Sequence, residues 1–93
     1  MYVLRRGDEV QAVGVSPAGG RQPWVIGTFL SLEAGLVTLE GVVPLYGDRE
    51  RVYETTPTVT FVAHALYVYG AGEQPVFTWS LSQGPLDRLV TLG

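Results

Sequence analysis

The chain has 93 residues, 46% hydrophobic and 16% charged, with no cysteine, one histidine and a formal net charge of −3. A length of this order fits one domain, residues 1–93, with a thin stability margin, and the missing thiols exclude disulfides and thiolate-bound metal. The acidic balance argues against the phosphate neutralisation that dominates nucleic-acid affinity, and no apolar run approaches the roughly 18 residues that cross a bilayer.

Twelve glycines and six prolines punctuate the chain, a density that favours short strands joined by turns. Tyr2 to Arg5 reads as a first strand, Gly7-Asp8 as a turn, and Glu9 to Val15 as a second strand with Val10, Ala12 and Gly14 on one face. Ser16 to Pro23 holds two prolines and Gly19-Gly20, so its composition is that of a loop. Trp24 to Leu32 is a strand with largely apolar faces, which predicts burial on both sides or a place at an interface. Glu33-Ala34-Gly35 turns it into Leu36 to Glu40, a hairpin with glycine at a positive φ.

Val42 to Tyr46 is interrupted by Pro44 and belongs at an edge or a bend. Gly47 to Arg51 reads as a charged turn, Val52 to Thr55 as a further strand, and Thr56-Pro57 as its break. Thr58 to Tyr69 is the longest predicted strand. Strict alternation puts Val59, Phe61, Ala63, Ala65, Tyr67 and Tyr69 on one face and Thr58, Thr60, Val62, His64, Leu66 and Val68 on the other. The second face changes from polar to apolar halfway, which predicts a bulge near His64 or a strand that passes from one sheet to another. Gly70 to Pro75 is a loop, Val76 to Leu81 a strand with Phe77, Trp79 and Leu81 on one face, and the tail after Gly84-Pro85 a turn into a last short strand. These elements predict an all-β fold: a small antiparallel barrel of the SH3 or Sm type with extra strands, or a compact two-sheet sandwich. Bent hairpins and repeated glycines favour the barrel.

Chemistry-bearing residues are sparse. His64 is the single histidine, so one chain offers no nitrogen and sulfur set for zinc, and its place in a strand suits a structural role over general-base work. Ser16, Ser31, Ser80 and Ser82 lack a nucleophile elbow. Glu33 and Glu40, like Glu50 and Glu54, read as solvating carboxylates of hairpin ends. Gly70-Ala71-Gly72 and Gly19-Gly20 lack the following helix that a phosphate loop needs, and Arg6-Gly7-Asp8 reads as a charged β-turn. No catalytic, cofactor or metal site is predicted, and the chain is expected not to be an enzyme. Gly27 to Leu39, a glycine followed by a strand, a turn and a strand, resembles the first motif of Sm-like proteins over about a seventh of the chain. Glu33-Ala34-Gly35 stands where that family carries an RNA-contacting Asp and Asn, and no second motif follows, so the stretch reads as a generic barrel hairpin.

Composition carries the functional expectation. Soluble domains are about a quarter charged, so a domain this poor in charge is expected to cover apolar surface by association. Three Phe, five Tyr and two Trp exceed what a small core needs, and tyrosine suits a half-wet protein interface. Trp24, Tyr46, Tyr53, Tyr67, Tyr69 and Trp79 are the candidate interface residues of a homo-oligomer or larger assembly. By analogy of size and composition, virion decoration, neck or tail components belong to this class. The alternative is a small nucleic-acid-binding barrel contacting its ligand through Arg49 and Arg51, although Asp48, Glu50 and Glu54 offset their charge. Six arginines with no lysine, no asparagine and one isoleucine point to a GC-rich genome. Met1 to Arg6 lacks the apolar region of a signal peptide, which predicts a soluble cytoplasmic chain, or a virion protein if the genome is a phage's.

Overall fold

The computed structural model describes residues 1–15, 24–46, 50–51, 56–70 and 73–93. Its strands are β1 (Tyr2–Leu4), β2 (Glu9–Val15), β3 (Val25–Glu33), β4 (Leu36–Tyr46), β5 (Glu50–Arg51), β6 (Thr56–Tyr69), β7 (Pro75–Ser80) and β8 (Val90–Leu92), with 3-10 turns at Leu81–Gln83 and Leu86–Arg88. The fold is all-β and compact. The larger sheet runs β5-β4-β3-β2-β6-β7, and β4 also pairs with β6.

That extra pairing bends the sheet into a partial ring. The first half of β6 runs antiparallel to β4, with Thr56 opposite Val42 and Val62 opposite Leu36. Its second half runs antiparallel to β2, with Val62 opposite Val15 and Tyr69 opposite Glu9. Val62 thus has a partner on each side, which places β4 and β2 on opposite edges of β6. Pairing passes from β2 through β3 and β4 to β6 and returns to β2, the closure of a barrel rather than of two stacked sheets.

Bulges make this curvature possible. Between Val13 and Gly14 the β2 register against β6 shifts from Ala65 to Ala63, leaving His64 as the extra residue. An inserted residue reverses side-chain parity. Phe61 and Ala63 face the core before the bulge, Leu66 and Val68 after it. The single face predicted to run from Val59 to Tyr69 is therefore broken. Tyr67 and Tyr69 lie on the side opposite Phe61, half-buried, and His64 is exposed. Gly14 sits across from this point, where a Cβ would overlap the Val62 carbonyl oxygen and the Phe61 ring.

Similar shifts break β3 against β4 at Phe29/Ser31 and at Ile26/Thr28. The second leaves Gly41 at φ 62° as part of the extra pair on β4, so Leu36–Glu40 and Val42–Tyr46 form one bent strand and not two. The β3–β4 loop has Ala34 at φ 50° and Gly35 at φ 79°. Two positive φ values match the right-handed twist of a two-residue hairpin. Val25, Phe29 and Leu32 of β3 enter the core, whereas Trp24, Ile26, Thr28 and Leu30 are half-buried on its outer side. The expectation of a strand buried on both faces is corrected accordingly. Glu50–Arg51 forms a short strand on β4 where a turn was expected, and β6 starts at Thr56, through the predicted break. The predicted loop 16–23 and the predicted strand 52–55 lie outside the described residues.

The chain ends close the core. β1 and β8 pair in parallel, Tyr2 with Val90 and Leu4 with Leu92. Leu4 and Val90 join Val10, Phe29, Leu39, Phe61, Leu66, Trp79 and Leu86 in one buried cluster. Burying side chains of this size is worth about 1.5–3 kcal/mol each. The Arg6-Gly7-Asp8 stretch is a turn: Asp8 N–H donates to the Arg5 carbonyl (3.0 Å), and the Asp8 carboxylate accepts from Arg5 N–H (2.9 Å). Tyr2 stacks on Phe77 at 4.7 Å and 12°. Burial, reinforced by Asp8 and opposed by Arg5, raises the Tyr2 phenol above its ordinary 10.0.

Two expectations follow. Gly14→Ala forces a methyl group into backbone and should destabilise the domain by about 3 kcal/mol, read as a lower denaturation midpoint. Because the folded state holds Tyr2 protonated more firmly than the unfolded chain does, that contribution is complete below the unfolded pKa and lost as pH rises through the folded one. Thermal melts above pH 10 should show alkaline destabilisation that is smaller in Tyr2→Phe than in the wild type.

Candidate interaction face

The outer face of β3-β2-β6-β7 gathers three half-buried aromatic residues, Trp24, Tyr67 and Tyr69. Cross-strand register builds it in rows. Gln11 is opposite Ile26 on one side and Tyr67 on the other, and Tyr67 is opposite Thr78. The adjoining row holds Thr28, Glu9 and Tyr69. Val13, two residues beyond Gln11, presents its side chain to the same face, as alternation requires.

Trp24 precedes β3 and leans across β2 onto Tyr67, with ring centroids 5.2 Å apart and planes tilted by 32°. The two rings fix each other's orientation, and a tilted aromatic pair adds roughly 0.5–1.5 kcal/mol to its area burial. Tyr69 donates its hydroxyl proton to Gln11 Oε1 at 2.9 Å. That bond restrains the tyrosine tip and occupies the acceptor end of the Gln11 amide. The result is a fixed surface of ring, aliphatic and amide groups in which, among the described residues, Glu9 in the outer row is the charged member.

The predicted interface residues separate in space. Trp24 and Tyr67 touch and Tyr69 lies beside them. Trp79 does not join them. It is 2% exposed, packs in the core, and donates its indole N–H to the Gly84 carbonyl at 2.9 Å. The reason is register: Trp79 is opposite Leu66, an inward residue once the bulge has reversed parity. Tyr46 ends β4, whereas Tyr53 and Arg49 lie outside the described residues. Arg51 is placed in β5, paired with Leu45. Gln11, Val13 and Ile26 belong to the face without having been singled out in the sequence. Their signal was the half-apolar outer alternation of β2 and β3, which becomes a patch only after the strands are set side by side.

Glu33 and Glu40 are exposed, and among the described residues no group of three His, Asp or Glu side chains converges as a metal site would require. No buried side-chain polar atom among the described residues lacks a partner. Among them, too, no helix is long and apolar enough to cross a membrane. Compared with known protein families, curated proteins and solved structures, the chain matches none.

Proposed function

We propose that the chain is a non-catalytic interaction protein, a β-barrel subunit that assembles with copies of itself or with a partner through the outer face of β3-β2-β6-β7. The observation that carries this reading is the Trp24–Tyr67 pair, held at 5.2 Å on a half-exposed face beside Tyr69 and Ile26. Fixed aromatics with polar tips lose little conformational entropy on binding, and such residues supply the anchors of protein interfaces. The low share of charged residues, 16%, supports the same reading. Virion decoration, neck and tail subunits are one setting for such a protein.

The charge around the face supports a protein partner over a nucleic acid. Among the described residues its charged member is Glu9, and stacking of bases on aromatics ordinarily works inside a positive groove.

Size-exclusion chromatography with light scattering tests the proposal. The wild type should elute as a defined oligomer or co-elute with its partner. Tyr67→Ala should weaken association by about thirtyfold or more, as loss of a central anchor does, with an unchanged thermal midpoint. A wild-type monomer at millimolar concentration that captures no partner overturns the reading. Salt-sensitive binding of a single-stranded oligonucleotide at this face would replace it with the nucleic-acid alternative.

A further inference from the structure

One edge of β6 has an interruption in its pairing between β4 and β7, and a groove lies beside it. On one edge of β6 the pairing with β4 ends at Val62, and the pairing with β7 begins at Ala65. Among the described residues, Ala63 and His64 have no strand neighbour on that edge. A groove of about 270 Å³ opens there, lined by Val62, Ala63, Trp79, Leu81, Leu86 and Asp87 among others. Its rim is unusually apolar for solvent-facing surface: Val62 is 43% exposed and Leu81 56%. Asp87 is its one charged group, and no basic side chain pairs with it among the described residues.

We propose that this groove is a binding site for a short extended peptide segment of a partner chain, carrying an aliphatic side chain beside a basic one. Each part of that ligand answers a feature of the groove. At the exposed His64, where the strand pairing is interrupted, an extended chain can lie along β6, the mode by which peptides add to open sheet edges. The apolar floor of Trp79 and Leu86, with the Val62 and Leu81 rim, fits one aliphatic side chain. A volume near 270 Å³ is below the usual range for drug-sized ligands, about 300–1,000 Å³, so a side chain suits it better than a cofactor. The Asp87 carboxylate selects a cation at the mouth and disfavours acidic segments. The floor is already rigid, because the Trp79 indole is held by the Gly84 carbonyl. The site shares no residue with the outer aromatic face and stands or falls independently of it.

Titration followed by NMR tests the proposal on the ¹⁵N-labelled full chain. The probe is acetyl-Arg-Leu-Arg-amide, with acetyl-Gln-Leu-Gln-amide and acetyl-Arg-Gly-Arg-amide as controls; flanking arginines make the result independent of strand direction. The first peptide should shift the Trp79 indole N–H signal and the backbone amides of Val62 to His64. Loss of the arginines should weaken binding about two- to fivefold, the range of an exposed ion pair, and loss of the leucine should weaken it more. Asp87→Asn should remove the difference between the arginine and glutamine peptides while leaving the leucine requirement intact. Tyr67→Ala should change none of these values. Failure of the first peptide to shift these signals, equal binding of all three, or a response confined to the Tyr67 face overturns the assignment.

Discussion

One strand has to serve two edges. β6 gives its first half to β4 and its second half to β2, and the ring exists because the two halves meet at Val62. A regular strand cannot do this while keeping one face inward, because curvature of that degree needs an inserted residue. His64 is that residue, and Gly14 is its counterpart on β2, without a side chain where the two backbones come closest. A small barrel lacks the spare burial to absorb a clash at such a junction.

The rest of the architecture follows from that junction. Once β6 has turned, Phe61 and Ala63 fill one part of the interior and Leu66 and Val68 the other. β7 can then continue along the edge that β4 vacates, bringing Trp79 into the core opposite Leu66. The two chain ends add Leu4, Leu86 and Val90 to the same buried cluster. A parallel pair of three-residue strands is marginal alone. Its stability comes from the core beneath it, which couples the chain ends to the same cooperative unit as the ring.

Much of this was legible in the chain. Glycine and proline spacing, alternation in β2 and the Glu33-Ala34-Gly35 turn lead to an all-β fold, and the change of polarity on one face of Thr58 to Tyr69 points to a bulge near His64 or a passage between sheets, of which the structure has the bulge. What could not be read was the bulge's effect on every later residue. Alternation counts positions along one strand, and an inserted residue shifts the count without leaving a mark in the residue types. Strict alternation for this reason groups Tyr67 and Tyr69 with Phe61, and the surplus of aromatics alone makes Trp79 an interface candidate although it packs in the core. Pairing across strands is equally silent: Gln11, Ile26 and Tyr67 are far apart in sequence and form one row only through the β2–β3 and β2–β6 registers. The same holds for the groove, which arises where two pairings end and which no local pattern encodes.

The fold accounts for the direction in which the outer aromatics point, but not for their chemistry. Parity after His64 obliges residues 67 and 69 to face outward, because Leu66 and Val68 must face in. Nothing in that closure requires those positions to be tyrosine, or requires Trp24 and Ile26 beside them. Threonine or a charged residue would complete the outer side of β3 and β6 equally well, and this chain does use threonine on the outer face of the same sheet, at Thr28 and Thr78. Apolar side chains left facing water contribute little to a monomer's stability and raise its tendency to associate. Their presence, on one face of the sheet and held in place by an aromatic pair and a tyrosine–glutamine hydrogen bond, is the feature of this molecule that folding leaves unexplained and that association would explain.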